Sequence, residues 1–313
     1  MADAYSRNRA GRFRRFWRIQ LEDWQLYLLV LLPLAHIIIF AYVPMYGVQI
    51  AFKDFRADMG ILGSPWVGMK HFIKFFKNYQ FRRVLTNTLN IGVSSLVFGF
   101  PVPIIFAVML NELSQQRIKK AIQTISYAPH FISITVLAGM IIMFLDSRIG
   151  PINKLIAFFG GQTVTFLAEP SMFVPIYVIS GIWQGMGYSA VIYLAALAGV
   201  DQELYEAAVI DGANRLQKIC HIDLPGIAPT IVILLILNAG SVMNQGYEKA
   251  FLLQNDLNLE ASEIISTYVY KQGLVQVKYS FSAAVGLFNS VINCVLLFVT
   301  NFIAGRLGET RLF

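Results

Sequence analysis

The chain has 313 residues, of which 56% are hydrophobic and 14% charged, and its mean hydropathy is +0.58. That is too apolar for an ordinary soluble domain and predicts a membrane protein. The formal charge of +7 and pI near 9.4 come with no nucleic-acid motif; the basic residues sit between apolar runs, where anionic lipid headgroups account for them.

The N-terminal stretch from Arg7 to Trp24 carries Arg7, Arg9, Arg12, Arg14, Arg15 and Arg18 together with Phe13, Phe16, Trp17, Leu21 and Trp24. At about 100° per residue the aromatics and Leu21 share one face and the arginines take the other, which predicts a basic interfacial helix lying on the inner leaflet. A solvated cationic tail would have the same composition. The apolar run that follows is long and has no small-residue cleavage site, so it reads as a retained first span rather than a signal peptide.

A bilayer crossing takes about 20 apolar residues. Six runs meet that length, at roughly Leu26 to Ile50, Thr88 to Leu110, Ile122 to Leu145, Phe173 to Gly199, Ile227 to Gln245 and Phe281 to Ile303. An even number puts both ends on one side. Pro101, Pro103 and Pro175 fall inside these runs, which helices packed in a bundle tolerate. Lys and Arg divide almost evenly between the two sides, so orientation rests on the first basic cluster, which places the N-terminus in the cytoplasm.

Between the first two spans, Lys53, Arg56, Lys70, Lys74, Lys77, Arg82 and Arg83 face only Asp54 and Asp58. A positive field at an entrance would concentrate an anionic solute. Helix faces resting on lipid headgroups would show the same pattern.

No Asp, Glu, Lys or Arg lies well inside a span, and His36 and His130 sit near span ends. A proton-coupled carrier needs such groups at mid-membrane, and no internal repeat is evident, so a secondary transporter is disfavoured. A membrane-embedded enzyme would need clustered acid and base groups; Asp146 and Glu169 lie apart with no histidine beside them. Cys220 and Cys294 are too few for a disulfide framework or a zinc site and read as packing residues.

Polar residues do form stripes at helical spacing. Span four carries Tyr177, Ser180, Gln184 and Tyr188; span five Asn238, Ser241 and Gln245; span six Ser282, Asn289, Asn293 and Thr300. Aromatic faces with amides and hydroxyls suit sugar rings, whose hydroxyls both donate and accept. Hydrogen bonds between packed helices would leave the same stripes.

Between spans four and five lies a polar island. Leu204 to Ala208 predicts a short helix, Gly212 a tight turn, and Asn214 the cap of a second helix, which Pro225 should end at Leu224. After span five, Gln245-Gly246-Tyr247-Glu248 leads into a mixed-polarity segment through Ser280 with one short helix near Ser262 to Leu274.

Glu206-Ala207-Ala208, Asp211-Gly212-Ala213 and Ile222-Asp223-Leu224-Pro225 resemble the EAA motif of permease subunits of ABC importers. Ser64-Pro65-Trp66-Val67-Gly68, Asn87-Thr88, Leu110-Asn111-Glu112, the run Ala128 to Ser133 and Thr267 to Tyr270 resemble the branch of that family that takes up oligo- and polysaccharides, and the likeness covers the chain from about Trp24 onward. It implies an all-α integral membrane protein of six transmembrane helices, with an N-terminal interfacial helix and a cytoplasmic coupling-helix hairpin. The implied layout is a basic segment at 1 to 24, the first span and outer loop at 25 to 84, the permease domain at 85 to 305 with the hairpin loop at 203 to 229, and a short tail. By resemblance Glu206, Ala207, Ala208, Asp211, Gly212, Ala213, Ile222, Leu224 and Pro225 couple to the ATPase. The implied partners are a second permease, two cytoplasmic ATPases, an external solute-binding lipoprotein and a saccharide, acidic or neutral. The chain has no phosphate loop, so ATP and Mg belong to the partner ATPase and the chain itself is non-catalytic.

Overall fold

The computed structural model describes residues 24 to 306, so the predicted interfacial helix at Arg7 to Trp24 lies outside it except for its last residue, Trp24, where the first described helix begins. The described residues form helices and no strand; an isolated bridge between Lys53 and Trp66 is the one β contact among them. They divide into two compact units at Gly68.

The first unit contains α1, Trp24–Phe52, a continuous helix with a π turn at Ile38–Tyr42 and a 3-10 end at Tyr46–Phe52. Its first 14 residues bury nothing, and Leu32 is 74% exposed. A helix apolar on every side and unburied suits lipid rather than water. The following loop closes on itself. Lys53 is buried and its ammonium donates to the carbonyl of Ile61 at 2.7 Å, Val67 N donates to Phe52 O at 2.8 Å, and Phe52 stacks on Trp66 at 5.6 Å.

The second unit contains α2 (Lys70–Phe76), α3 (Gln80–Asn111), α4 (Gln116–Phe131), α5 (Ile134–Leu145), α6 (Pro151–Phe158), α7 (Pro170–Ala198), α8 (Gln202–Ile210), α9 (Arg215–Gly240), α10 (Tyr247–Leu253), α11 (Leu259–Ser262), α12 (Ile265–Tyr270) and α13 (Tyr279–Arg306). Three apolar clusters form its core. One joins Phe75, Val84, Met243, Tyr268, Phe281 and Val285; a second joins Ile91, Ala138, Phe173, Tyr177, Ala250 and Ile264; the third joins Ala107, Val108, Ala190, Tyr193, Leu197 and Ile227. Helix α7 contributes to the second and third and is the element the others pack around.

Four helices, α1, α3, α9 and α13, are long and apolar enough to cross a membrane, and a fifth crossing arises if α4 and α5 count as one bent span. The predicted third span is broken by a 99° bend, with Pro129 before it and Ser133 capping α5 through Val136 N. Helix α7 has 29 residues, length enough for a bilayer, but its polar stripe lowers its hydropathy below that of the other four. A helix surrounded by protein need not be apolar all round.

Two expectations are corrected. Pro225 does not end the second hairpin helix: α9 runs unbroken from Arg215 to Gly240. A π turn at Ile219–Asp223 shifts the register so that Pro225 falls in the first turn of the α-helical segment after it, where a missing N–H leaves fewer bonds unmade. Cys220 and Cys294 are exposed and free rather than packed, because each projects from an outward helix face.

Gly187 sets how closely α7 approaches α4. A Cβ there would stand 2.2 Å from the carbonyl oxygen of Ser126, whereas one at Gly139 on α5 would meet nothing within 4 Å. Gly187→Ala should therefore destabilise the detergent-solubilised protein by about 1 to 3 kcal/mol, read as a lowered Tm, while Gly139→Ala leaves it unchanged or raises it slightly.

Candidate functional site

Two features of the second unit have the geometry of a functional site: a polar cleft between α3, α7 and α9, and the exposed hairpin of α8 with the start of α9.

The cleft has a volume of about 470 Å³. Ser95 and Gly99 of α3, Tyr188, Ser189 and Tyr193 of α7, Asn238 of α9, and Ser241, Asn244 and Gln245 beyond the end of α9 line it together with apolar neighbours. No carboxylate or ammonium lines it. Helix α9 stops at Gly240, and the chain from 241 to 246 is non-helical, so its amide side chains stand beside the cleft. That segment is held from α13: Asn293 Oδ1 accepts from Met243 N at 3.0 Å, and Asn289 Nδ2 donates to Asn244 Oδ1 at 3.3 Å.

The structure separates the predicted stripes. Tyr188, Asn238, Ser241 and Gln245 meet at the cleft, whereas Tyr177 lines a smaller cavity of about 210 Å³ that shares Ser95, Gly99 and Ser189 with it. Ser180 bonds back to the Ile176 carbonyl, and Gln184 Nε2 donates to Ile132 O at 2.9 Å, bracing the bend between α4 and α5. On α13, Ser282 and Thr300 bond backbone carbonyls at 2.8 Å. Tyr188 stacks flat on His130, with ring centroids 3.9 Å apart. Sequence reasoning did not find Ser95, Ser189, Tyr193 or Asn244. Gly92, Ser95 and Gly99 at helical spacing were a signal for a small-residue face on α3; Asn244 had none, because its position depends on where α9 ends.

Outside the cleft, α10, α11 and α12 are more ordered than the mixed-polarity loop read from sequence. Asn87 Nδ2 on α3 donates to the carbonyls of Glu260 and Glu263 at 2.7 and 3.0 Å, and Thr88 Oγ1 accepts from Ile265 N at 2.9 Å. The buried Glu263 carboxylate pairs with Arg83 and with Lys271. Asn258, fully buried, donates to the carbonyls of Leu253 and Leu167. These bonds fix the segment against α3, and two of the residues that make them, Asn87 and Thr88, belong to a motif singled out in the sequence.

Lys249 of α10 is also buried. Its ammonium donates to the Tyr177 carbonyl at 2.7 Å and lies 4.5 Å from the centre of that tyrosine's ring, and among the described residues no carboxylate pairs with it. Desolvation pulls its pKa down from 10.5 to about 8.

The hairpin follows from its caps. Asp201 caps α8 by accepting from Glu203 N, and Asp211 ends it. Gly212, at φ +74°, donates to Val209 O while Ala213 N donates to Ala208 O, the double bond of a Schellman turn that needs a residue tolerant of the left-handed region. Asn214 and Gln217 then exchange side-chain and backbone bonds in a capping box that opens α9. Glu206, Ala207 and Asp211 are exposed, Ala208, Ala213, Ile222 and Leu224 half-buried, and Pro225 exposed. Ile210 at 85% and Leu216 at 72% add bare apolar surface beside the turn. Leu224 packs against the third core cluster and so ties the hairpin's base to the helices.

The fold and these two features define the class: an α-helical membrane component with a polar cleft and an exposed helical hairpin. The chain belongs to the family of inner membrane components of binding-protein-dependent transport systems, whose family model matches residues 99 to 309. It is 44% identical to the protein LplB of Bacillus subtilis (strain 168) over 95% of this chain and 94% of that one. It is likewise 44% identical to the polygalacturonan/rhamnogalacturonan transport system permease protein YteP of the same organism, over 94% and 91%. Among solved structures, a chain of the bacterial alginate ABC transporter in complex with alginate pentasaccharide-bound periplasmic protein superposes with a TM-score of 0.87 at 39% identity, covering 95% of this chain and all of that one.

The Lys249 environment gives a pH test. Because its folded pKa lies below 10.5, folding sheds a proton between about pH 8 and 10.5, so its contribution is unfavourable below pH 8 and is relieved as pH rises. Between pH 7.5 and 10, wild type should gain stability relative to Lys249→Met by about 2 kcal/mol, measured by denaturation in detergent. Parallel responses would mean that the ammonium is solvated.

Proposed function

We propose that this chain is a permease subunit of an ATP-driven ABC importer, forming part of the translocation path for oligo- or polysaccharides that carry uronic acids. The carrying observation is the cleft: amides of Asn238, Asn244 and Gln245, hydroxyls of Ser95, Ser189 and Ser241, and the ring of Tyr188 around about 470 Å³, with no charged side chain. Such a lining meets sugar hydroxyls and ring faces without holding an ion. The relatives named for polygalacturonan and alginate support an acidic saccharide, and the exposed Lys70, Lys74, Lys77 and Arg82 of the second unit supply a field of the right sign.

In this reading the chain crosses the membrane six times, α1, α3, the bent α4 and α5 pair, α7, α9 and α13 being the crossings, with both termini and the hairpin in the cytoplasm. A second homologous permease completes the path. Two ATPase subunits supply the nucleotide chemistry with ATP and Mg, and one docks on the hairpin. Glu206 and Asp211 offer it polar anchors, Ala207, Ala208 and Ala213 let its groove close, Gly212 shapes the turn, and Ile222, Leu224 and Pro225 carry the load into α9. An extracellular binding protein delivers the saccharide to the outer segment of α10 to α12. The cleft then opens to alternate sides as ATP is bound and hydrolysed.

The test is ATP hydrolysis by the complete complex in lipid vesicles, with its binding protein loaded with oligogalacturonate or with a neutral oligosaccharide. Oligogalacturonate should stimulate hydrolysis and uptake, and Gly212→Asp, whose side chain disfavours φ near +74° and places a carboxylate on the docking turn, should abolish the stimulation while leaving membrane insertion intact. Stimulation by the neutral sugar alone would replace the substrate class; full stimulation in Gly212→Asp would overturn the coupling assignment.

A further inference from the structure

The hairpin must be joined to the membrane helices for any force on it to matter, and its first helix has little to hold it. No residue of α8 is buried. Among the described residues, the side-chain hydrogen bonds that leave α8 for the rest of the protein are those of Tyr205, which donates to Asp223 and is also bonded to the side chain of Asn111. Asp223 lies in the π turn of α9 and is fully buried. Its Oδ1 accepts from the Tyr205 hydroxyl and from Asn111 Nδ2 at 3.5 Å, and Asn111 is the last residue of α3. Its Oδ2 is buried with no partner.

We propose that Tyr205, Asp223 and Asn111 form the joint through which movement of the docked α8 reaches α3, with Asp223 as its positioning residue. The proposal rests on the coupling role assigned to the hairpin above and names the residues that would carry it inward. One carboxylate ties three segments that are otherwise separate in the chain: α8, the π turn of α9 and the end of α3. A charged acceptor makes a stronger bond than a neutral one. The unpartnered Oδ2 gives the carboxylate spare acceptor capacity, so it can keep hold of the hydroxyl or amide as the hairpin rocks. Burial, the bond to Asp223 and its charge push the Tyr205 hydroxyl above its ordinary pKa against a smaller opposing effect of its bond to Asn111, which keeps that hydroxyl a donor. Helix α3 then runs back from Asn111 to the π turn at Ser95–Gly99, whose Ser95, Leu96 and Gly99 line the cleft. The joint thus sits at one end of the helix whose middle forms the cleft wall.

The experiment uses the complete complex in vesicles and compares wild type, Tyr205→Phe, Asp223→Asn and Asn111→Ala for co-purification of the ATPase, for ATP hydrolysis and for saccharide taken up per ATP. Tyr205→Phe keeps the ring and loses one hydroxyl, so the complex should assemble and hydrolyse ATP while uptake per ATP falls about tenfold, the scale of one hydrogen bond to a charged group. Asp223→Asn keeps an acceptor oxygen and should fall between. The double variant Tyr205→Phe with Asn111→Ala should lose less than the product of the single losses, because both act through one carboxylate. Unchanged uptake per ATP in Tyr205→Phe, while Gly212→Asp is uncoupled, overturns the joint and leaves the hairpin assignment standing. Loss of ATPase co-purification in Tyr205→Phe also overturns it, since the hydroxyl would then serve assembly. Full coupling in Gly212→Asp overturns both.

Discussion

Inside a bilayer there is no water to satisfy a backbone N–H or C=O, so each must find its partner within the protein. That constraint explains the all-helical described chain, and it makes the departures from helix informative. In the second unit these include the π turns at Ser95–Gly99, Ile219–Asp223 and Lys271–Val275, the break between α4 and α5, and the non-helical stretch after Gly240. At two of them the freed backbone group is met by a named side chain. Gln184 takes the carbonyl of Ile132 at the bend, and Asn293 takes the N–H of Met243 after α9. Part of this irregular backbone, the π turn at Ser95–Gly99 and the stretch after Gly240, lies beside the polar space.

The same reasoning sorts the polar residues into two groups. Some exist to satisfy backbone, such as Asn87, Thr88 and Asn258, which hold the α10 to α12 segment by its own carbonyls and amides. Others, at the cleft, bond mainly within their own turn: Asn238 to Leu234 O, Ser241 to Asn238 O and Gln245 to Val242 O. Under the proposed function, a side chain whose internal bond is to a carbonyl one turn away would exchange it for a sugar hydroxyl without unpicking the contact between two helices. Tyr188 is half exposed and flat against His130, which leaves its other face free of the stack.

Buried charge has been placed sparingly. Glu263 is compensated by two cations, one from α3 and one from the π turn after α12, and breaking such a pair from one side is far more damaging than never having built it. Lys249 and Asp223 lack that compensation. Each is held by neutral partners at a junction between segments, Lys249 between α10 and α7 and Asp223 between α8, α9 and α3. One junction lies on the segment of α10 to α12 and the other on the hairpin side.

Much of this was legible in the sequence. Apolar run lengths fixed where helices of membrane length occur, because length and hydropathy are local properties, and the caps of the hairpin were legible because Gly212 and Asn214 act within one turn of chain. The helix stop expected at Pro225 failed for the complementary reason: whether Pro225 ends a helix depends on the register set by the π turn before it. Cys220 and Cys294 were misread because a helix's outward face is not visible in its composition. Helical spacing put Tyr177, Ser180, Gln184 and Tyr188 on one stripe, yet only the packing of α3, α4 and α9 around α7 decided that Tyr188 meets the cleft and Gln184 braces a bend. The sequence by itself determined the class of solvent, the helices and the exposed turn, since these depend on neighbours along the chain. The tertiary structure decided which polar groups face one another, as with Asp223 and Asn111, 112 positions apart, because a hydrogen bond needs a distance that no local pattern specifies.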